Sequence, residues 1–414
     1  MAGNALIPEP FGPLQGVRIL STGTLIAEPF AAELAAEMGA EVIQVERVGT
    51  GDRAWREFGP MLPPRPGLAP VSTTWAQERR NMFCVTLDPT TPRGREIFLE
   101  LAARVEIWME NSKACTWDKW GLDDRTVLGV NPRLVITHIS GFGQDGAPEF
   151  RSRPSYDYIG QALGGIMDQT GFPDPNPPTR AAPWLGDYIA ALFALWSSLA
   201  GLTYARATGR GQAIDLAQYE ALHRLLGGTM VEYFELGMVR HRSGNKARDF
   251  QPGDTFRCRD GWIAVAALAG EPFDNLLHAV GLDPDDERWQ RARTAVDSAD
   301  GLEFDRRLRE WIAGFEISEA VRRLNEMKVA CAPVLDARGM AEHPQYRARG
   351  VHVEWEDLTA GRIRGIGVVP RFSLTPGRIF RGAVPVGYDN RRVYGDILGL
   401  DDNEIERLRR DRVI

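Results

Sequence analysis

Along the first 140 residues the apolar positions change spacing repeatedly, from the short runs of strands to the wider repeat of helices. Val17-Arg18-Ile19-Leu20 reads as a strand. Residues 28–38, EPFAAELAAEM, have the spacing of an Ala-rich helix, with Pro29 in the first turn and Gly39 to stop it. Residues 41–46, EVIQVE, form the next strand, and a helix over 93–104 leads into a strand at Val105-Glu106-Ile107-Trp108. Residues 132–139, PRLVITHI, are again strand-like. Strands spaced by helices predict βαβ units and a Rossmann-like, mostly parallel α/β sheet. In such sheets ligands bind beyond the carboxyl ends of the strands.

The pattern then breaks at a Pro-rich loop from Pro173 to Pro183, and residues 188–205, YIAALFALWSSLAGLTYA, run on as a long apolar helix. Asp187 stands at its start. A helix leaves its first backbone N–H groups unpaired, and these, with the positive end of the dipole, favour an ionised carboxylate. Such a group is an oxygen nucleophile able to attack an acyl carbon and leave again. Asp is also a preferred N-cap, and local sequence does not separate the two roles.

Beyond Gly209 the texture changes. Gly209-Arg210-Gly211-Gln212 is a turn, followed by a helix-like segment through Leu236. Residues 250–268 read as a hairpin turning at Arg259-Asp260-Gly261. Helical patterns follow over 271–281 and 302–328, residues 329–335 are extended, and a Pro-rich stretch to 388 precedes a last helix near 402–412. The expected organisation is a large Rossmann-like domain over 1–229, a smaller inserted α+β domain over 230–334, and a return to the large domain over 335–414.

A chain of 414 residues exceeds what one core usually organises, which agrees with two domains. Its net charge of −7 argues against nucleic acid or an anionic membrane surface as partner. Four scattered cysteines without a CxxC pair fit reduced thiols and a cytoplasmic location. The opening residues, MAGNALIPEPFGPLQG, lack a signal-peptide pattern. The apolar run near 189–205 is short of a membrane span and reads as a buried helix.

Residues 141–146, GFGQDG, match G-x-G-x-x-G after a strand, but loop rather than helix follows, so a dinucleotide reading is weak. No P-loop lysine, GxSxG elbow or HExxH is present, and the six histidines do not pair at metal-ligand spacing, so no metal is expected. Arg47, Arg79, Arg80, Lys113 and Lys119 fall at or beyond strand ends. Singly each is a solvated charge; together they suit an anionic cofactor.

Several segments, in order, resemble the class III CoA-transferases, the family of formyl-CoA and carnitine CoA-transferases. They are Gly16–Leu20, Leu25–Ala31, Gly39–Glu46, Glu110-Asn111, Ser140–Gln144, Leu185-Gly186-Asp187, Thr208–Gln212 and Ala330–Leu335. Phe11–Leu14, Arg79-Arg80-Asn81 and Ser140–Gln144 lean to the carnitine branch. The resemblance implies that Asp187 is the catalytic residue, passing through aspartyl anhydride and aspartyl-CoA thioester intermediates. It implies coenzyme A as substrate, with backbone contacts at Leu25, Ile26 and Ala27 and polar contacts at Arg47, Asn111, Lys113 and Lys119. It also implies an acyl-CoA donor, a small carboxylic acid acceptor, carnitine-like or otherwise medium-sized, and an interlocked homodimer. Thr90 replaces a common lysine, Ser140 replaces the lysine of formate-type members, and their glycine-rich loop is absent from 241–256; formate and oxalate are thereby disfavoured. The alternative within the same superfamily is an α-methylacyl-CoA racemase, whose histidine position is Tyr156 here. A non-catalytic CoA-binding protein is the alternative outside enzymes.

Overall fold

The computed structural model describes residues 5–414; residues 1–4, where the leader reading and the first domain range begin, lie outside the described residues. Six strands form the central sheet. Their spatial order is Phe83–Thr86, Glu41–Glu46, Arg18–Ser21, Ile107–Glu110, Val135–Ser140 and Gln212–Ala217. All neighbouring pairs are parallel. In chain order this is 3-2-1-4-5-6, the doubly wound arrangement, with its switch point between Arg18–Ser21 and Ile107–Glu110.

Strand alternation decides which face each side chain serves. Ile19, Val42, Ile107, Met109, Val135 and Ile139 point to one face, against helix Ala27–Glu37 and the long helix Leu185–Thr208. The two helices meet the sheet through alanines at 31, 32, 35, 36, 190, 191 and 194, which allow close approach. Leu20, Ile43, Trp108 and Ile136 point the other way, into a core with Phe98, Trp117, Val393 and Tyr394. Burial on both faces explains why these strands read as apolar runs rather than as clean alternation.

The helix that begins at Leu185 is 24 residues long. By length and composition alone it is long and apolar enough to cross a membrane, a test that a core helix packed on a sheet also passes. One stripe of it, including Ala190, Ala194, Ser198 and Ala205, packs inward, while Leu192, Trp196 and Tyr204 are exposed.

Three segments differ from expectation. Residues Gln212–Ala217 form an edge strand, not the start of a helix. Ile214 and Leu216, on either side of Asp215, pack on the sheet core, and register with Val135–Ser140 supplies the backbone partners. The Pro-rich stretch before 388 contains an antiparallel hairpin, His352–Asp357 with Gly361–Ile366. Helix Asn390–Leu398, also unforeseen, protects the opposite sheet edge. Asp389 accepts from Cys84 N at 2.9 Å and Asn390 from Thr86 N at 2.8 Å, so alternate outward N–H groups of the Phe83–Thr86 strand are paired.

The chain divides into two compact units. One comprises residues up to Ile166, Ala181–Gly227 and Arg347–Ile414; the other comprises Met167–Arg180 and Gly228–Tyr346. The second unit thus runs past the expected limit at 334 and takes in an earlier segment. Its own core joins the sheet of Gly253–Arg257, Trp262–Ala266 and Ala330–Pro333 to helices Glu271–Ala279, Ala299–Ala313 and Ile317–Glu326. Gly314 separates the last two, which the hydropathy pattern joined.

Candidate active site

The switch point is held open by polar stitching. Asn111, just past the Ile107–Glu110 strand, accepts from Thr24 N at 2.9 Å and donates to Thr24 O at 2.8 Å. The residue expected as a polar CoA contact thus also joins two strand-end loops through its amide. Glu110 orders the same loop, accepting from Ser112 N at 2.6 Å and Trp117 Nε1 at 3.0 Å. Its other oxygen meets His138 Nδ1 at 2.7 Å, while His138 Nε2 meets Asp124 at 2.8 Å. Burial opposes charging this imidazole, but the two carboxylates outweigh it and hold its pKa up to about 10.

Leu25 adopts a left-handed φ of 63°, unusual for a side chain of this kind. Asp52 accepts from its N–H at 2.8 Å, and Arg79 donates to its carbonyl. Arg79 and Arg80 are therefore not available to an anionic cofactor as the sequence suggested. Both are buried; Arg79 faces Asp52 at 3.6 Å, and Arg80 pairs with Glu33 and Glu37. A buried guanidinium needs such partners; Arg79 shapes the Leu25 loop from beneath, while Arg80 is tied to the helix Ala27–Glu37.

Asp187 is the third residue of its helix, not the N-cap, which is Trp184. The capping acceptor comes from another element. Asp157, buried at the start of helix Asp157–Leu163, accepts from Gly186 N at 2.7 Å and from Asp187 N at 3.3 Å through one oxygen. A side chain at Gly186 would collide with that oxygen, its Cβ lying 2.9 Å away. The helix N–H groups expected to stabilise Asp187 are thus already used. The carboxylate of Asp187 receives Gln218 Nε2 at 2.5 Å instead. Its pKa is raised to about 7, by burial first and then by the charges of Asp157 and Glu78, with Gln218 opposing.

Asp187 lines a cleft of about 300 Å³ together with Leu25, Ile26, Ala27, Asn111 and Lys113, so six of the eight expected site residues converge there. Gly141 and Gly143 of the GFGQDG segment line it too. At Gly141 a Cβ would sit 2.1 Å from Ser155 Cβ, so this glycine serves close chain approach rather than pyrophosphate binding. Arg47 lines a larger groove of about 1090 Å³ over the neighbouring strand ends, with Arg412 from the C-terminus. Thr24, Leu25 and Ser112 line both cavities, which makes them contiguous. Lys119 is exposed on the 3-10 turn Asp118–Trp120, between groove-lining Trp117 and Trp120, and is not itself among the residues lining either cavity. Sequence reasoning missed Asp157, Gln218 and Arg412. Gln218 was hidden because the residues after Gln212, through Leu236, read as one helical segment, whereas the strand to Ala217 aims the next residue at Asp187.

Comparison with known proteins places these features. The CoA-transferase family III profile matches residues 14–390. The chain is 34% identical to Bile acid CoA-transferase BaiK of Clostridium scindens, over 98% of this chain and 90% of that protein. It is 33% identical to L-carnitine CoA-transferase of Proteus mirabilis, over 97% of each. Among solved structures, a CAIB/BAIF family protein from Brucella suis superposes with a TM-score of 0.80 at 25% identity, covering 94% of this chain and all of that one. Rv3272 from M. tuberculosis shares the fold, with a TM-score of 0.77 at 24% identity over 92% of this chain and 99% of that one. A family profile across residues 14–390, with named CoA-transferases matching nearly the whole chain in sequence, identifies it as a transferase enzyme belonging to CoA-transferase family III.

Proposed function

We propose that this enzyme moves CoA from an acyl-CoA donor to a free carboxylic acid, with Asp187 as the covalent carrier. One observation carries the reading: a carboxylate on a rigid helix lines a cleft contiguous with a larger groove suited to the rest of a CoA molecule. The ionised Asp187 attacks the donor thioester, giving a mixed anhydride and CoA thiolate. The thiolate attacks the aspartyl carbonyl of that anhydride, releasing the donor acid and leaving an aspartyl-CoA thioester. The acceptor carboxylate attacks this thioester, forming a second anhydride and freeing CoA. CoA then attacks the acceptor acyl carbon, yielding the product thioester and regenerating Asp187. Each step exchanges one activated acyl bond for another, so no ATP is consumed.

In this reading Leu25, Ile26 and Ala27 offer backbone to the pantetheine arm, and Asn111 holds their loop in place. Arg47 and Lys119 meet the phosphates or the adenosine end, and Lys113, which lines the Asp187 cleft itself, meets the arm nearer the thioester. Alanine at each is expected to raise KM for acyl-CoA by about five- to a hundredfold, as loss of a charge-assisted contact worth roughly 1–3 kcal/mol implies. KM for the acceptor acid should move little. Unchanged CoA affinity in all three variants would return them to being solvated charges.

The acceptor is a carnitine-like or other medium-sized acid, a reading supported by the named relatives. An inserted smaller domain and a homodimer of interlocked chains belong to the same proposal; the exposed Leu192, Trp196 and Tyr204 on the long helix suit a protein partner. Light scattering reads the dimer directly, and a stable monomer would rule it out. Racemisation is less well supported. Tyr156 lines the Asp187 cleft where a racemase histidine would be needed, no histidine is among the described lining residues, and His138 is engaged by Glu110 and Asp124. Acyl-CoA mixed with isotopically labelled free acid should pass label into the thioester pool without ATP. In deuterated water the α carbon should keep its protons. Deuterium uptake without label transfer would favour the racemase, and neither process would favour a non-catalytic CoA-binding protein.

A further inference from the structure

The Asp187 cleft carries more positive charge than the transfer chemistry uses. Besides Lys113 it is lined by Arg151 and Arg153, from the segment beyond the Val135–Ser140 strand. Both are exposed. Arg151 Nη2 donates to Cys115 Sγ at 2.9 Å, and the Arg153 guanidinium lies 4.2 Å from the Phe150 ring centre. Neither contact supplies negative charge, and among the described residues neither arginine forms an ion pair. Other arginines near the site behave differently: Arg56 pairs with Glu46, and Arg79 and Arg80 face buried carboxylates. In a chain of net charge −7, two neighbouring guanidinium groups without a carboxylate beside a reactive cleft call for an anionic ligand.

We infer that Arg151 and Arg153 form an anion subsite for a second carboxylate on the transferred acid, so that among medium-sized acids the enzyme takes dicarboxylic acids or their mono-thioesters rather than cationic, carnitine-like ones. This rests on reading the cleft as the acyl-exchange site. Phosphate groups of CoA share the chemistry, but the whole pantetheine arm separates them from the thioester. Arg151 and Arg153 share a cleft of about 300 Å³ with Asp187, whereas the neighbouring groove has cations of its own in Arg47 and Arg412. The pair therefore lines the cleft in which a thioester at Asp187 places its acyl chain, while the diphosphate end belongs to the neighbouring groove.

The test uses Asp187→Ala, which removes the nucleophile, titrated calorimetrically with succinyl-CoA, butyryl-CoA and CoA. Succinyl-CoA and butyryl-CoA have the same chain length and differ in a terminal carboxylate. Succinyl-CoA is expected to bind at least tenfold more tightly than butyryl-CoA. Adding Arg151→Gln and Arg153→Gln should close that gap while changing CoA affinity less than twofold; Arg151→Lys with Arg153→Lys should preserve part of it. Equal binding of the two thioesters to Asp187→Ala would overturn the subsite. So would a gap that survives the double glutamine substitution, or an equal loss of affinity for all three ligands, which would mark the pair as phosphate contacts. A preserved gap in a protein whose native form exchanges no label would sink the transfer reading and leave the subsite standing.

Discussion

Asp187→Ala is expected to abolish acyl exchange, by a factor on the order of 10³ or more, while CoA binding persists. The neighbouring groups are otherwise engaged: Asp157 is committed to the helix N–H groups and to Gln161, Gln218 is a donor to Asp187, and Glu78 is buried, accepts from the Tyr188 hydroxyl and does not line the cleft. Hydroxylamine should trap the native adduct on the peptide containing residue 187 and none from the variant. Near-normal turnover in Asp187→Ala would reduce the residue to part of the helix start. Stability should move in the opposite direction to activity. The folded protein raises the Asp187 pKa from 3.8 to about 7, so it binds that proton more tightly than the unfolded chain does. This contribution favours folding in full below pH about 4 and is lost as pH rises through about 7. Asp187→Asn should accordingly raise the melting temperature at pH 8 and change it little at pH 4. A lower melting temperature at pH 8 would show that the ionised carboxylate is stabilised by its surroundings.

The second large effect is expected at Asp157, through pH. The nucleophile must be ionised, so kcat/KM for the donor should rise with pH through about 7 and level off above it. Burial is the main cause of that high value and the charge of Asp157 the next. Asp157→Asn retains an oxygen able to accept from Gly186 N but removes the charge, and should move the acid limb down by about one pH unit. At pH 5.5 the variant would then run at about eight times the native fraction of its plateau rate. Asp157→Ala removes the acceptor as well, leaving buried N–H groups unpaired at a cost of about 1–3 kcal/mol. It should shift the profile and lower the melting temperature together. A pH profile unmoved by Asp157→Asn would mean that the two carboxylates are not coupled.

Much of the central fold is legible in the chain. Ala27–Glu37 and Glu41–Glu46 follow from apolar spacing, Pro29 and Gly39, and the hairpin at Gly253–Ala266 follows from its turn residues. What failed were segments whose conformation depends on distant partners. Phe83–Thr86 is four buried residues without periodicity, and its edge is completed by Asp389 and Asn390, some three hundred residues later. Gln212–Ala217 is a strand because Val135–Ser140 offers it a backbone edge.

Sequence by itself determined the βαβ order, the position of Asp187 at the start of an apolar helix, and the family through ordered local motifs. These are properties of near neighbours in the chain, where side-chain spacing and helix-end chemistry act directly. Only the tertiary structure decided how those residues behave. It assigned the helix cap to Asp157 and gave Asp187 a proton affinity near neutrality, because burial and a second carboxylate outweigh the helix end. It turned Arg79 and Arg80 inward onto acids and left Arg151 and Arg153 lining the cleft. Burial and charge pairing are set by groups far apart in sequence, so no local pattern can specify them.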